Sequence, residues 1–310
     1  MEFLIGKLED TEEIVTVLKK SLGAGKLPKS AEIWKYKHFL NPFGESLIIV
    51  AKEEGKIIGV RALMRFDWRL NHSKEFKTFR AVDTGVLPDY QGVGVFNKMN
   101  KMAVDNASER GFFFIFNTPN EKSLPGNLKL GWKKVDNINV SFKPLIPQFK
   151  RKPHFNLPKA KDLSIVSNLT NESNKINSRR NRIFIPKSPE YLLWRYIQNP
   201  LQDYQCYFSE DYFIAFYEKK HSNFNELRIS ECIFFERNAR REIEEIIISF
   251  AKSKGANIIT FSPRLDIFKF KFSLKLGPIL VIKTLIEKME GLNPKNLNQW
   301  NYHLGDLELF

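Results

Sequence analysis

The sequence predicts an α/β (α+β) fold that occurs twice in tandem, and three observations carry that expectation. Stretches with an apolar residue every third or fourth position alternate with short apolar runs bounded by glycine, proline and asparagine, as helices alternating with strands do. Short motifs recur in the same order in the two halves of the chain. The length, 310 residues, suits two domains of ~100–200 residues each.

The elements of the first half follow in order. Glu12 to Leu22 is predicted helical, with Ile14, Val17, Leu18 and Leu22 on one stripe. Leu47–Ala51 and Ile57–Phe66 flank the turn Glu53-Glu54-Gly55 and read as a hairpin. Phe76–Val86 is a third strand. Phe96, Met99, Ala103 and Ala107 have the spacing of an amphipathic helix ending at Gly111. A strand at Phe112–Phe116, a helix through the 120s and a last strand near Val135–Phe142 complete the half. In the second half Ile243, Ile246, Ile247 and Phe250 form a helical stripe ending at Gly255, before the strand Ala256–Phe261.

Three pairs of motifs relate the halves. Tyr36-Lys37-His38-Phe39-Leu40-Asn41-Pro42 is answered by Trp194-Arg195-Tyr196-Ile197-Gln198-Asn199-Pro200. Gly111 to Pro119 is answered by Gly255 to Pro263, and Leu128-Lys129-Leu130-Gly131 by Leu274-Lys275-Leu276-Gly277. The interval between the first and second motif is shorter in the second half, so residues are missing there. The expected division is 1–145, a linker at 146–161 in a proline- and lysine-bearing stretch, and 162–310. Trp34 and Trp194 are expected as core anchors, and the tail from Trp300 to Phe310 is expected to pack against the first copy.

Composition narrows the function. Hydrophobic residues at 43% and charged residues at 27% exclude wholesale disorder. No apolar run reaches the ~18–20 residues that span a bilayer, so no membrane insertion is expected. The start, MEFLIGKLEDTEEIV, lacks the basic-then-apolar order of a secretory signal, and a cytoplasmic location is expected. Cys206 and Cys232 form no C-x-x-C pair, and His72, His154, His221 and His303 lack ligand spacing, so no metal is expected. The net charge of +14 favours anionic partners such as nucleotides or phosphorylated cofactors. Its lysines are scattered rather than massed, which argues against nucleic acid.

The chemistry concentrates in Asp83-Thr84-Gly85-Val86-Leu87-Pro88-Asp89-Tyr90-Gln91-Gly92-Val93-Gly94-Val95-Phe96. A strand ends, a glycine-bearing loop follows, and an amphipathic helix starts near Gly94. Glycines let backbone N–H groups turn toward an anion, and a helix start adds unpaired donors and the positive dipole end. The segment therefore reads as a pyrophosphate cradle.

This segment resembles the acetyl-CoA loop of the GCN5-related N-acetyltransferase (GNAT) superfamily, Gln/Arg-x-x-Gly-x-Gly/Ala after a strand ending Val-x-Pro. Here it reads Gln91-Gly92-Val93-Gly94-Val95-Phe96, with Phe96 where the pattern has Gly or Ala. Asn117 to Ser123 and Lys129-Leu130-Gly131-Trp132 are similar to the superfamily's fifth strand and following helix. With Asn41-Pro42-Phe43-Gly44, the chain looks like a bacterial subgroup of tandem acetyltransferases associated with surface polysaccharides. The resemblance implies mixed, mostly antiparallel sheets flanked by helices, and acetyl-CoA as co-substrate. It implies that the main chain of Gln91, Gly92, Val93, Gly94, Val95 and Phe96 holds the pyrophosphate. Thr84, Gly85 and Val86 would pair with pantetheine, and the Val86 N–H would polarise the acetyl carbonyl. Asn120 and Ser123 would touch pantetheine or the thiol end.

Transfer needs an amine stripped of its proton, for which Asp83 is the leading base and Glu121 a second candidate. His38 lies near the expected acceptor side and is read first as a packed or exposed histidine. The superfamily's usual tyrosine acid is replaced by Asn127. The reading is an N-acetyltransferase acting on a small-molecule primary amine, such as an amino sugar of surface-polysaccharide biosynthesis. A non-catalytic CoA-binding scaffold and a tRNA-dependent aminoacyl transferase of the same tandem fold are the alternatives. The second copy is expected to bind no CoA, since Phe234-Phe235-Glu236-Arg237-Asn238-Ala239-Arg240-Arg241 precedes its helix without a glycine.

Overall fold

A computed structural model of the chain describes residues 1–22, 28–121, 123–146 and 162–307. Beyond Ile146, the expected linker lies outside the described residues. The strands of the two larger sheets, in chain order, are β1 (Glu2–Ile5), β2 (Leu47–Glu53), β3 (Lys56–Arg65), β4 (Thr78–Val86), β5 (Phe114–Asn117), β6 (Lys133–Asn137) and β7 (Val140–Pro144). After the linker come β8 (Gln205–Phe208), β9 (Tyr212–Lys220), β10 (Asn225–Phe234), β11 (Ile258–Phe261), β12 (Phe272–Leu274) and β13 (Ile279–Thr284). The helices are α1 (Thr11–Leu22), α2 (Ala31–His38), α3 (Val95–Glu109), α4 (Leu124–Lys129), α5 (Ser167–Ser178), α6 (Pro189–Leu192), α7 (Arg237–Ser253) and α8 (Leu304–Leu307). The protein is α+β, with mixed sheets.

Two compact units emerge. The first comprises Met1–Arg69, Ser73–Val135 and Leu280–Lys295. Its seven-stranded sheet has the order β1-β2-β3-β4-β5-β13-β6. Strands β1 to β4 are antiparallel neighbours, β5 runs parallel to β4, and β13 runs antiparallel to β5. The predicted stripe of α1 supplies Ile14, Val17 and Leu18, which pack with Ile48, Val50 and Val60 of β2 and β3. On α3, Met99, Ala103 and Ala107 are buried, as their spacing predicts.

The second unit is built mainly from Asp136–Ile279 and Asn296–Phe310. Its six-stranded sheet has the order β8-β9-β10-β11-β7-β12. Strands β8 to β10 are antiparallel, β11 is parallel to β10, and β7 is antiparallel to β11. The α7 stripe Ile243, Ile246, Ile247 and Phe250 closes one face of this sheet over Phe216, Leu227 and Ile259.

This division differs from the contiguous one expected at 1–145 and 162–310. The single strand expected near Val135–Phe142 is two strands, β6 and β7, and they belong to different sheets. In return β13, late in the sequence, enters the first sheet beside β5. The residue that follows β6 and those that precede β13 are hydrogen-bonded to each other. Ile138 N donates to Pro278 O and Gly277 N to Ile138 O, each at 2.9 Å. A Cβ on Gly277 would lie 2.7 Å from Ile138 Cβ, so a side chain there would force the strands apart. The tail, Asn296–Phe310, belongs to the second unit.

Two of the three motif pairs occupy matching places. The helix ending at His38 and the helical turn Leu193–Ile197 are each followed by an Asn-Pro turn. Asn41 Oδ1 accepts from Phe43 N at 3.0 Å, and Asn199 Oδ1 from Leu201 N at 2.9 Å. Gly111 (φ 73°) and Gly255 (φ 67°) stop α3 and α7 in the left-handed region before parallel strands β5 and β11. The third pair fails. Leu128 and Lys129 end α4, whereas Leu274 ends the edge strand β12. A short Leu-Lys-Leu alternation fits either conformation.

Candidate active site

Strand β4 positions the site. Arg61 pairs with Thr84 and Ala62 with Val82, so Asp83 is the extra residue of a β-bulge. The bulge is pinned from behind: Thr84 Oγ1 donates to Val82 O at 3.0 Å and accepts from Arg61 Nη1 at 2.8 Å. The parallel register of β4 with β5 runs from Thr78↔Phe114 to Arg80↔Phe116 and stops there. Beyond Arg80 the two strands no longer pair, and the end of β4, the loop after it and the start of α3 line a cleft.

The cleft has a volume of about 450 Å³ and is lined by Ser21, Thr84, Gly85, Val86, Tyr90, Gln91, Gly92, Gly94, Val95, Phe96 and Asn97. The loop at its mouth is held by its own chain. Leu87 N donates to Ile58 O at 2.8 Å, and Gln91 Nε2 to Val86 O at 2.9 Å. Gly92 (φ 78°) and Gly94 (φ 88°) take left-handed backbone, and a Cβ on either would meet only open space. The glycines are thus required by the turn rather than by crowding from the protein. Gly94 caps α3, whose first helical bond runs from Lys98 N to Gly94 O at 3.1 Å. The amides of Val95, Phe96 and Asn97 precede that ladder, at the positive end of the helix dipole. Gly85 is tight for another reason: its Cβ would fall 2.1 Å from Ser21 Oγ, so α1 closes on the strand only because that position is bare.

On the α1–α2 side, Asp83 is held by two groups of α2. Lys37 Nζ pairs with Asp83 Oδ2, and His38 Nε2 lies 3.0 Å from the same oxygen. His38 is fully buried, packs against Trp34 with ring centroids 3.9 Å apart and planes tilted by 47°, and has Nδ1 2.8 Å from Ser46 Oγ. Because the carboxylate can only accept, Nε2 carries the imidazole proton and Nδ1 accepts from Ser46. Burial lowers the His38 pKa, against the Asp83 hydrogen bond and charge, so the ring is neutral near pH 7. Burial would raise the Asp83 carboxyl, but the Lys37 ammonium and the His38 bond overcome it and hold the group well below the usual carboxylate range. Asp83 keeps about a quarter of its side chain exposed, and its Oδ1 has no partner among the described residues.

On the α3 side, Arg61 is buried, and its Nε and Nη2 have no hydrogen-bond partner among the described residues. Desolvation lowers its pKa to about 10. It lies behind two cleft-lining residues, Thr84 and Phe96, with the Phe96 ring centroid 5.9 Å from its Cζ.

The expected site residues fall into two groups. Thr84, Gly85, Val86, Gln91, Gly92, Gly94, Val95 and Phe96 line the cleft together, with exposed Val93 in the same loop. Asn120 and Ser123 do not line it. Ser123 N and Oγ both donate to Asn120 Oδ1, at 2.9 and 2.8 Å, a turn that leads into α4. Glu121 is exposed beside them, and Asn127 is buried on α4. Sequence reasoning missed Lys37, Ser46 and Arg61. Lys37 sits beside His38 in a motif already noted, but only the fold brings α2 onto the bulge. Among the described residues no group of three or more His, Cys, Asp or Glu forms a metal site, and no helix is long and apolar enough to cross a membrane.

Residues 6–135 match the family described as "Acetyltransferase (GNAT) domain". No curated protein matches the sequence. The fold is similar to a GCN5-related N-acetyltransferase from Anabaena variabilis (TM-score 0.63, 14% identity, 92% of this chain and 73% of that one). It is also similar to a probable N-acyltransferase from Enterococcus faecalis (TM-score 0.61, 11% identity, 92% and 72%). A putative acetyltransferase from Pyrococcus horikoshii matches along nearly its whole length (TM-score 0.52, 12% identity, 99% and 94%). At such identities the likeness speaks to fold. The domain match covers the very segment that builds the bulge, cleft and glycine loop, and the likeness of fold extends over more than nine tenths of the chain.

Proposed function

We propose that the protein transfers an acetyl group from acetyl-CoA to a primary amine, by direct attack with both bound to the first unit. The observation that carries this is the cleft lined by the end of β4 and the glycine loop, ending at an unpaired helix start. The β4 edge past the bulge presents Thr84, Gly85 and Val86 to an extended pantetheine chain, and the Val86 N–H is the donor for the acetyl oxygen. The amides of Gly92 through Phe96 and the α3 dipole receive the pyrophosphate. Arg61, a buried cation behind Thr84, adds positive potential to the same wall.

The acceptor approaches from the side of α2. Asp83, with Oδ2 fixed by Lys37 and His38, offers Oδ1 to the incoming amine. A carboxyl held so far below the usual range orients the amine and stabilises its positive charge, while the proton passes on through water. An amino sugar carried on a nucleotide is the acceptor class that suits a chain of net charge +14. The second unit is a degenerate copy of the first. It has the same antiparallel strands, helix and parallel strand in order, with three strands before the helix instead of four, but α7 follows β10 without a glycine loop, and Glu236 sits at its N-cap.

Release of free thiol from acetyl-CoA, screened against a panel of amines and amino sugars, tests the proposal. Amine-dependent release is expected, and loss of that release in Gly94→Asp. CoA binding without turnover for any amine would instead leave a scaffold.

A further inference from the structure

Strand β12 ends the six-stranded sheet, and β7 is its partner there, through Phe272↔Phe142, Ser273↔Ser141 and Leu274↔Val140. Its other edge carries no strand among the described residues. Around it stands Phe270-Lys271-Phe272-Ser273-Leu274-Lys275-Leu276, apolar at every second position. The four apolar residues are 74%, 60%, 50% and 70% exposed in chain order. Proteins blunt such an edge when it has no partner, and four large apolar side chains do the opposite.

We propose that this edge pairs antiparallel with the same edge of a second copy of the chain, centred on Ser273. The sequence is symmetric about that residue. Phe272 would face Leu274 of the other copy, and Phe270 would face Leu276, so apolar meets apolar on one side of a continuous sheet. Lys271 would face Lys275, the pairing expected to forbid such a contact. Each of those lysines is already engaged within its own chain. Lys275 Nζ lies 2.6 Å from Asp136 Oδ2. Lys271 Nζ donates to Leu265 O at 2.8 Å and is 3.8 Å from Asp266 Oδ1. The carboxylates offset the like charges in a self-paired edge, whereas on an anionic lipid surface they would oppose binding. A second copy is therefore the occupant that the charges favour.

Light scattering and sedimentation on the full chain test this, together with a Phe272→Asp/Leu274→Asp double variant. Both positions are exposed, so CoA-dependent stabilisation of the first unit serves as a check on folding. The wild type should have about twice the monomer mass and the double variant the monomer mass. A Ser273→Cys/Cys206→Ser variant should form a reducible cross-linked dimer under mild oxidation, because Ser273 would face itself. A monomeric wild type, a dimer that persists in the double variant, or a monomer that sediments with anionic phospholipid vesicles would overturn the proposal.

Discussion

Asp83 keeps its charge because Lys37 and His38 both reach Oδ2 from α2, while Oδ1 stays open. Turnover and stability both depend on that arrangement. Asp83→Asn keeps the size and removes the charge, and should lower kcat by ~10²–10⁴-fold with CoA affinity nearly unchanged. A parallel loss of CoA affinity would show that the residue only shapes the bulge. The wild-type rate should have no acid limb belonging to Asp83 between about pH 5 and 8, since the carboxyl is ionised throughout. For stability, both residues shift downward on folding, so the unfolded chain binds more protons and acid destabilises. His38 acts first: its contribution is complete above ~6.5 and is lost as pH falls toward its lowered folded value. Asp83 follows below ~3.9. Urea denaturation at pH 7.5 and 5.5 should show a drop in the wild type and a smaller one in His38→Gln. Equal drops would mean that His38 titrates alike in both states.

Glycines set the elements around the cleft, and they differ in what they tolerate. Gly85→Ala places a methyl against Ser21 Oγ and should cost ~1–3 kcal/mol by forcing α1 away from β4. Ser21→Ala in the same chain should recover part of that loss, because the nearest clashing atom is removed. No recovery would locate the strain in the strand rather than at the helix. Gly94→Asp meets no neighbour and pays only for left-handed backbone, ~1 kcal/mol or so, so it should remain folded. Much of this level was legible in the sequence. The stripes of α1, α3 and α7 and the strand–glycine loop–helix order read directly, because each is a local pattern. The Lys37–His38–Asp83 cluster was not, since two of its members lie on a helix far from the bulge in sequence. That Asn120 and Ser123 bond each other was not legible either, because a motif fixes position along the chain but not which atoms bond one another. Leu128–Gly131 and Leu274–Gly277 matched as letters, yet one stretch ends a helix and the other an edge strand.

At the scale of the whole molecule, the exchange of β7 and β13 was hidden from sequence reasoning. Both are ordinary apolar strands, and nothing local says which sheet a strand will join. The exchange also means that neither sheet can be completed by its own contiguous half. A chain cut within 147–161 should therefore yield two fragments that recover CoA binding only when mixed. Recovery by 1–146 alone would show that β13 is dispensable to the first sheet. The two units differ most where the cleft stands. The first has Gly92 and Gly94 before α3, whereas the second passes from Phe234 to α7 with Glu236 at the N-cap and no glycine between. Its helix start thus lacks the bare backbone that a pyrophosphate needs and carries a carboxylate where an anion would sit. Calorimetric titration of the full chain with CoA should give one site per chain in the wild type and none in Gly94→Asp. A stoichiometry of two, falling to one in Gly94→Asp, would show that the second unit holds a cofactor site of its own, and an unchanged single site in that variant would place CoA outside the glycine loop.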